Sequence, residues 1–437
     1  MKISLDQFVE RRKELMAKML PNSIAIIPSA SMKQRNSDVE YAFRQDSNFY
    51  YLTGFNEPDA VLLLMPGRLA GESVLFCRKR DKLMEIWNGY RSGPEGVVAD
   101  YAMDEGHCID EVDELLPELL NGMSRIYYSI GQDEALDQQV RQWLNSIRSK
   151  VRQGAVAPSE LVMLDQLLNE MRLIKTDAEK EMMRQAGDIS AQGHVKAMQL
   201  CKPGMMEYQL EAEILHHFTM QGCRQPAYSS IVGGGENACV LHYIENDKTL
   251  NDGDLVLIDA GCELDHYAGD ITRTFPVNGR FSEEQKALYQ LVLDAQKACI
   301  AIAKPGTLWE AVHEESVKVL TQGLIDLGLL TGSLEDEITA GGYRDFYMHR
   351  IGHWLGMDVH DVGDYKVDGE WRPLQPGMVM TVEPGLYIAP DNEAVDARWR
   401  GIGIRIEDDV LITETGCEIL TASVPKEIEE IEALMAS

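Results

Sequence analysis

The sequence predicts a two-domain chain of mixed α/β (α+β) structure, on three observations. Its 437 residues are ample for more than one domain. Short Val/Ile/Leu runs bounded by turn residues alternate with longer stretches of helical period along the chain. An exposed-turn sequence at 154–158 (GAVAP) is followed by Thr176-Asp-Ala-Glu179, a capping box that opens a long helix. The boundary is therefore expected to separate a domain of residues 1–172 from a second of 173–437.

The elements follow in order. Residues 1–20 read as an amphipathic helix with Phe8, Leu15 and Leu20 inward. Strands are expected at 23–27 (SIAII), 60–64 (AVLLL) and 73–76, and helices at 111–120 and 136–147. In the second domain the capped helix runs over 179–200 and stops before Pro203 and Gly204. Further helices are expected at 207–221, 282–303 and 309–327, the last ending at Gly328. Strands are expected at 255–259, 271–277, 379–383 and 402–407, the last continuing through 410–413, and an acidic helix at 425–435 closes the domain.

Composition narrows the function. Hydrophobic residues at 45% and charged ones at 26% are those of an ordinary globular protein. Lys plus Arg number 41 and Asp plus Glu 71, a net charge of −30 that repels polyphosphate and argues against nucleic-acid and anionic-membrane partners. No apolar run approaches the roughly 18 residues that span a bilayer. Arg11, Arg12, Lys13, Glu14 and Lys18 interrupt any signal-peptide core. The eight cysteines are scattered with no C-x-x-C, against a disulfide framework and a thiolate zinc site, so a cytoplasmic location is expected.

The chemistry is expected where acids interrupt apolar strands, because a buried carboxylate is costly unless paired or bound to metal. Asp259 ends LVLID, Asp270 begins DITRTF, Glu383 ends MVMTVE, Glu407 lies in IGIRIE, and His353 begins HWLGMDVHD. Asp259 and Asp270 flank what reads as a hairpin; a turn centred on Leu264–Asp265 would set them directly opposite each other. Two like charges that close call for a cation between them. Oxygen ligands with one imidazole suit Mn²⁺, Co²⁺ or Zn²⁺. Any one of these residues alone reads as a turn former, a solvated acid or a core histidine; their joint occurrence points to a metal site.

The motifs IDAG (Asp259), GDITRTF (Asp270), GHWLG (His353), VEPGLY (Glu383) and RIEDD (Glu407) resemble the pita-bread metallopeptidases, the family of aminopeptidase P, prolidase and methionine aminopeptidase with creatinase as a metal-free cousin. RQDSNFYYLTGFNEPDA (44–60) is similar to the N-terminal domain signature of aminopeptidase P and prolidase, and HWLGMDVHDVG and GIGIRIEDDVLIT look more like the bacterial aminopeptidase P (Xaa-Pro aminopeptidase) branch. The resemblance covers nearly the whole chain. It implies a creatinase-like N-terminal α/β domain followed by a pita-bread catalytic domain. It further implies two divalent metal ions per subunit, Mn²⁺ first with Co²⁺ or Zn²⁺ as alternatives, and peptide substrates with proline in second position. Relatives with this N-terminal domain are dimers or tetramers, which implies a homo-oligomer.

By the same resemblance, Asp270 and Glu407 bridge the ions, Asp259 chelates one, and His353 and Glu383 hold the other. A shared hydroxide attacks the peptide carbonyl before proline, with Glu383 as general base. His242 and His360 donate to the oxyanion or peptide, and His349 flanks the proline ring. Arg405, two residues before Glu407, is expected to share its strand face and pair with a site carboxylate. Tyr387, a substrate-binding candidate, is expected either to touch the metal site or to pack, and Trp87 and Asp38 to form a substrate edge contributed by the N-terminal domain, with a neighbouring subunit as one source. Arg350 stands where relatives commonly have glycine, a cation that would narrow the substrate range or bind a downstream carboxylate.

Other motifs are set aside. Gly233-Gly234-Gly235 lacks the features of a P-loop and reads as a loop near His242; His313-Glu314 lacks the second histidine of H-E-x-x-H; residues 366–373 read as a loop. The competing enzyme reading is prolidase, which cuts Xaa-Pro dipeptides and must hold the proline carboxylate, for which Arg350 is a candidate. A binding protein on the same scaffold and a creatinase-like hydrolase are both disfavoured by the intact ligand set.

Overall fold

A computed structural model describes residues 2–437 as two compact units, 2–169 and 170–437. In the first, six strands form a mixed sheet in the order Glu105–Cys108, Ser73–Cys77, Val61–Leu64, Ser23–Pro28, Arg125–Tyr128 and Glu160–Met163. Ile24, Ile26, Leu63, Val74 and Phe76 pack from it against Leu116, Leu120, Val140 and Trp143 of two helices. The helix Leu5–Lys18 buries Phe8 and Leu15 as expected. Leu20 departs from expectation: the cap residue Met19 is extended at ψ 145°, which carries Leu20 off the helical stripe and leaves it 49% exposed. The short helix Lys82–Asn88 buries none of its residues.

The second unit carries the long helices Asp177–Leu200, Glu207–Met220, Glu283–Ile302 and Trp309–Asp326. The first opens on the expected box, with the Glu179 carboxylate accepting the Thr176 N–H at 2.9 Å and the Thr176 hydroxyl accepting the Glu179 N–H at 3.4 Å. Leu255–Asp259 is the centre of an antiparallel sheet between Ile231–Gly234 and Thr272–Pro276. Gly233 and Gly234 are therefore strand residues rather than a loop: a Cβ on Gly234 would lie 2.5 Å from Leu250 Cδ2. Residues 366–373, expected as a loop, contain the paired strands Lys366–Val367 and Glu370–Trp371.

Two local departures place the acids. The turn that follows Asp259 consists of Asp265 and His266, at φ 48° and 71°, the left-handed pair that closes a two-residue hairpin. Asp259 accordingly pairs with Thr272, two residues along from the directly opposed arrangement with Asp270. Asp270 remains on the same face because the shift preserves the alternation of period two. The second departure concerns the C-terminal strands. Ile402–Arg405 does not run on into the next strand: it pairs with Gly385–Ile388, whereas Asp408–Ile412 pairs with Val379–Val382. The two ladders keep one register, Val382 opposite Asp408 and Gly385 opposite Arg405, so the interruption between them sets Glu383 opposite Glu407.

Buried ion clusters brace this framework. Asp408 accepts from Arg273 at 2.7 Å, Lys426 at 2.6 Å and Gln296 at 2.8 Å. Asp361 accepts from Arg172 at 2.5 Å and Lys175 at 2.9 Å, tying the start of this unit to the loop that bears His360. Burial alone would raise the Asp361 carboxyl, but Lys175 and Arg172 hold it below its ordinary range. Removing one partner of such a cluster strands buried charge at a cost of about 3–5 kcal/mol. Asp361→Ala should therefore lower unfolding free energy by about that amount in urea denaturation; an unchanged midpoint would reject the clamp.

Candidate metal centre and active site

One cavity of about 610 Å³ in the second unit is lined by Asp259, Asp270, His353, Glu383 and Glu407 together with His242, His349, His360, Arg350 and Arg405. Asp270, His353 and Glu407 each offer a ligand atom within 4.8 Å of the others. His353 Nε2 lies 3.3 Å from Asp270 Oδ2 and 3.6 Å from Glu383 Oε1. Its Nδ1 donates to the Trp354 carbonyl at 3.0 Å, which turns Nε2 toward the acids. The peptide around His353 is itself held against the strand Val379–Val382: the Thr381 N–H bonds the His353 carbonyl at 2.9 Å and the Glu383 N–H bonds the Ile351 carbonyl at 2.8 Å.

Of the two arginines that line this cavity, Arg405 is the one paired within its group of four carboxylates, and Arg350 pairs with Glu310. Arg405 bonds Asp259 Oδ2 through Nη2 at 2.7 Å, which delivers the expected ion pair. Burial pushes Glu407 well above its ordinary value, with Asp270, Glu383 and Asp259 adding to the shift. Glu383 is pushed up to about 7, chiefly by burial, although His353 and Arg405 pull the other way. Burial opposes a charge on His353, yet the hydrogen bond and charge of Asp270 lift it to about 9. The donor set and the uncompensated negative charge fit divalent cations of hard or borderline character.

Several residues that orient these ligands were not singled out from sequence. Tyr228 donates to Asp259 Oδ1 at 2.6 Å, Thr272 to Glu407 Oε2 at 2.6 Å, and Thr381 to Glu383 Oε1 at 3.3 Å. The buried Asp409 accepts the Asp270 N–H at 3.1 Å. A signal existed for both threonines, each two positions from a ligand and so on its strand face, and for Asp409, the last of three consecutive acids. Tyr228 comes from a distant segment and carried none.

His349 donates from Nδ1 to the Arg350 carbonyl at 2.7 Å, so Nε2 accepts from the Tyr387 hydroxyl at 2.9 Å. Burial and the nearby Arg405 lower His349 to about 3, so the ring is neutral. The Tyr387 hydroxyl also accepts from Arg405 at 3.1 Å, joining the histidine to the metal centre. His360 stands edge-on to His353 with ring centroids 4.3 Å apart. Arg350 is paired with Glu310 and lies 5.3 Å over the Trp371 ring. Trp87 and Asp38 belong to the first unit: Trp87 is 77% exposed on the helix Lys82–Asn88, and Asp38 is exposed between the short strands Gln34–Asn36 and Val39–Glu40.

Residues 181–414 match the model of metallopeptidase family M24. The chain belongs to that family. Residues 8–127 match the aminopeptidase P N-terminal domain. Among M24 relatives, the Xaa-Pro aminopeptidase of Haemophilus influenzae is 49% identical over 99% of this chain and 98% of its own length, and that of Escherichia coli 48% identical over 100% and 98%. A solved aminopeptidase of Pseudomonas aeruginosa superposes with a TM-score of 0.99 at 56% identity, covering 100% of this chain and 98% of that one. This M24 chain therefore combines a mixed α/β N-terminal domain with the family's catalytic domain.

The crowded acids make stability depend on pH in a definite direction. Glu383 has a folded value near 7 against an ordinary value of 4.5, so the folded state holds its proton longer than the unfolded chain. That contribution is complete below 4.5 and is lost as pH rises through 7. Metal-stripped protein should show a melting temperature that falls between pH 5 and pH 7.5, and a divalent ion should restore it. A rising melting temperature in the stripped protein would contradict the crowding.

Proposed function

We propose that the chain is a dinuclear-metal Xaa-Pro aminopeptidase that hydrolyses the bond between an N-terminal residue and a following proline. The observation that carries this is the convergence of four carboxylates and His353 on one cavity, in a chain similar end to end to Xaa-Pro aminopeptidases. Asp259, Asp270, His353, Glu383 and Glu407 would hold two divalent ions, and residues 1–172 and 173–437 act as N-terminal and catalytic domains. When bound, such ions acidify a water and polarise the peptide carbonyl.

The chain's own groups do the rest. Glu383, whose carboxyl sits near 7 in the metal-free centre, takes the proton from the attacking water and passes it to the proline nitrogen. His242 and His360 donate to the carbonyl oxygen as charge develops there. The neutral His349, fixed by Tyr387, flanks the proline ring. Arg405 keeps Asp259 ionised. A bond before proline suits this centre because the chemistry asks nothing of the N–H that proline lacks.

Mn²⁺ is the proposed metal, with Co²⁺ or Zn²⁺ as alternatives; an Escherichia coli aminopeptidase P with zinc substituted, in complex with product, supports tolerance of the ion. A cytoplasmic location is proposed on the eight scattered cysteines, all of them free thiols. The exposed Leu83, Ile86, Trp87 and Tyr90 around the helix Lys82–Asn88 support a homo-oligomer, dimer or tetramer, in which Trp87 and Asp38 edge a neighbour's site. A prolidase reading draws on Arg350, which lines the cavity as a cation for a dipeptide carboxylate, but its pairing with Glu310 weighs against it.

Metal-stripped protein with Mn²⁺ restored should cleave Ala-Pro-Ala; cleavage of Ala-Pro alone would instead mean prolidase, and cleavage of neither would reject both. Glu383→Ala should lower kcat by about 10²–10⁴-fold, the usual worth of general acid–base catalysis. Asp270→Ala should lose bound metal by elemental analysis.

A further inference from the structure

Glu207 is a carboxylate that the metal centre does not use, and it is fully buried. It opens the helix Glu207–Met220, whose N-terminus favours a negative charge. Its two oxygens accept from four donors. Oε1 takes the Gly234 N–H at 2.8 Å and the Asn237 side-chain amide at 3.0 Å. Oε2 takes the Tyr243 hydroxyl at 2.8 Å and the Lys248 N–H at 2.9 Å. Burial, with this carboxylate beside it, pushes Tyr243 up to about 12, so the hydroxyl keeps the proton it donates.

All of these donors belong to one segment. Gly234 ends the strand Ile231–Gly234, Asn237 lies in the short 3₁₀ helix Gly235–Cys239, and Tyr243 and Lys248 follow it. The segment carries His242, which lines the cavity of the metal centre. His242 is exposed and makes no side-chain hydrogen bond among the described residues, so the backbone of the segment sets its direction. Other contacts seat the segment against the site. Ala238 and Tyr243 pack with Ile231, Leu257 and Tyr387, the tyrosine that joins His349 to Arg405. A Cβ on Gly403, in the strand of Arg405, would lie 2.2 Å from the Ala238 carbonyl oxygen. Asn246, at φ 48°, secures the return: it accepts the Val232 N–H and donates to the Ser230 carbonyl, both at 2.9 Å.

We propose that Glu207 is a positioning residue for catalysis, holding the segment 234–248 so that His242 faces the metal centre. The inference rests on the aminopeptidase reading, in which His242 donates to the carbonyl oxygen of the bond being cut. One carboxylate fixes the entry of the segment at Gly234, its exit at Lys248 and the residue beside His242. Misplacing a catalytic group by about 1 Å can cost about 10²-fold in rate. Glu207→Gln keeps the shape of the side chain but turns an amide nitrogen toward one of the two donor pairs, which loses either Tyr243 and Lys248 or Gly234 and Asn237. Tyr243→Phe removes a single bond and leaves the carboxylate in place.

The test measures kcat on Ala-Pro-Ala and bound metal for the Mn²⁺-loaded wild type, Glu207→Gln and Tyr243→Phe, each with His242 present and with His242→Ala. Glu207→Gln should lower kcat about 10–100-fold and Tyr243→Phe by less, with metal content unchanged. In the His242→Ala background the same changes should cost less than about twofold, because the group they position is gone. An equal loss in both backgrounds, or a loss of metal in Glu207→Gln, would overturn the proposal and leave Glu207 a structural carboxylate. Tyr243→Phe carries the test if Glu207→Gln does not fold. Nuclear magnetic resonance of the Zn²⁺-loaded protein reads the placement without turnover. The His242 ring resonance, assigned by its disappearance in His242→Ala, should shift in Glu207→Gln and in Tyr243→Phe, and an unmoved resonance in both would overturn the proposal. If the wild type leaves Ala-Pro-Ala intact, the aminopeptidase reading falls by itself, and the resonance still decides whether Glu207 places His242.

Discussion

The structure depends on concentrated negative charge. Glu383 and Glu407 occupy opposed positions where two strand ladders meet, and Asp259 and Asp270 approach across a hairpin, all in a buried cavity with Arg405 as the paired cation. Like charges directly opposite each other destabilise a sheet, and burial multiplies the cost. Such an arrangement persists only where the rest of the fold over-determines it or a cation relieves it. Both conditions shape this molecule. The raised carboxyls of Glu383 and Glu407 record the strain electrostatically.

The over-determination comes from a frame of hydrogen bonds and ion pairs around the centre. Thr272 serves both Glu407 and Arg405, so one hydroxyl fixes a ligand and its counter-charge together. Behind Glu407, Arg273 and Lys426 neutralise Asp408, a separate acid that takes no part in the cavity. Asp361 is gripped by Arg172 and Lys175 one residue from His360, so the start of the catalytic unit also sets a loop at the substrate side. The cations that stabilise the fold are thus spent on acids outside the cavity, and the acids inside it keep their deficit for metal.

The same economy explains the histidines. His353 faces the acids and gains a proton's worth of attraction, whereas His349, held by the Arg350 carbonyl, Tyr387 and burial, stays neutral. One residue type thus supplies a ligand and an uncharged wall within a few ångströms, through partners rather than identity.

Much of this was legible in sequence because it is local. Val/Ile/Leu runs, the Thr176 capping box and acids inside apolar strands announce themselves within a few residues, and five motifs carried the family resemblance across the chain. What was not legible is register. The hairpin turn at Asp265–His266 needed two left-handed residues that no glycine marked, so Asp259 met Thr272 instead of Asp270. The strand through Arg405 exchanged partners at Glu407 because Glu383 and Pro384 interrupt the facing ladder, which a reading of one strand at a time misses. Tyr228 on Asp259 and the Asp361 clamp arise from segments far apart in the chain. The sequence by itself therefore determined the ligand types, the helices and the alternation that puts acids on one face. Only the tertiary structure decided which acids oppose each other and which cations reach them, because register and long-range pairing depend on packing between segments.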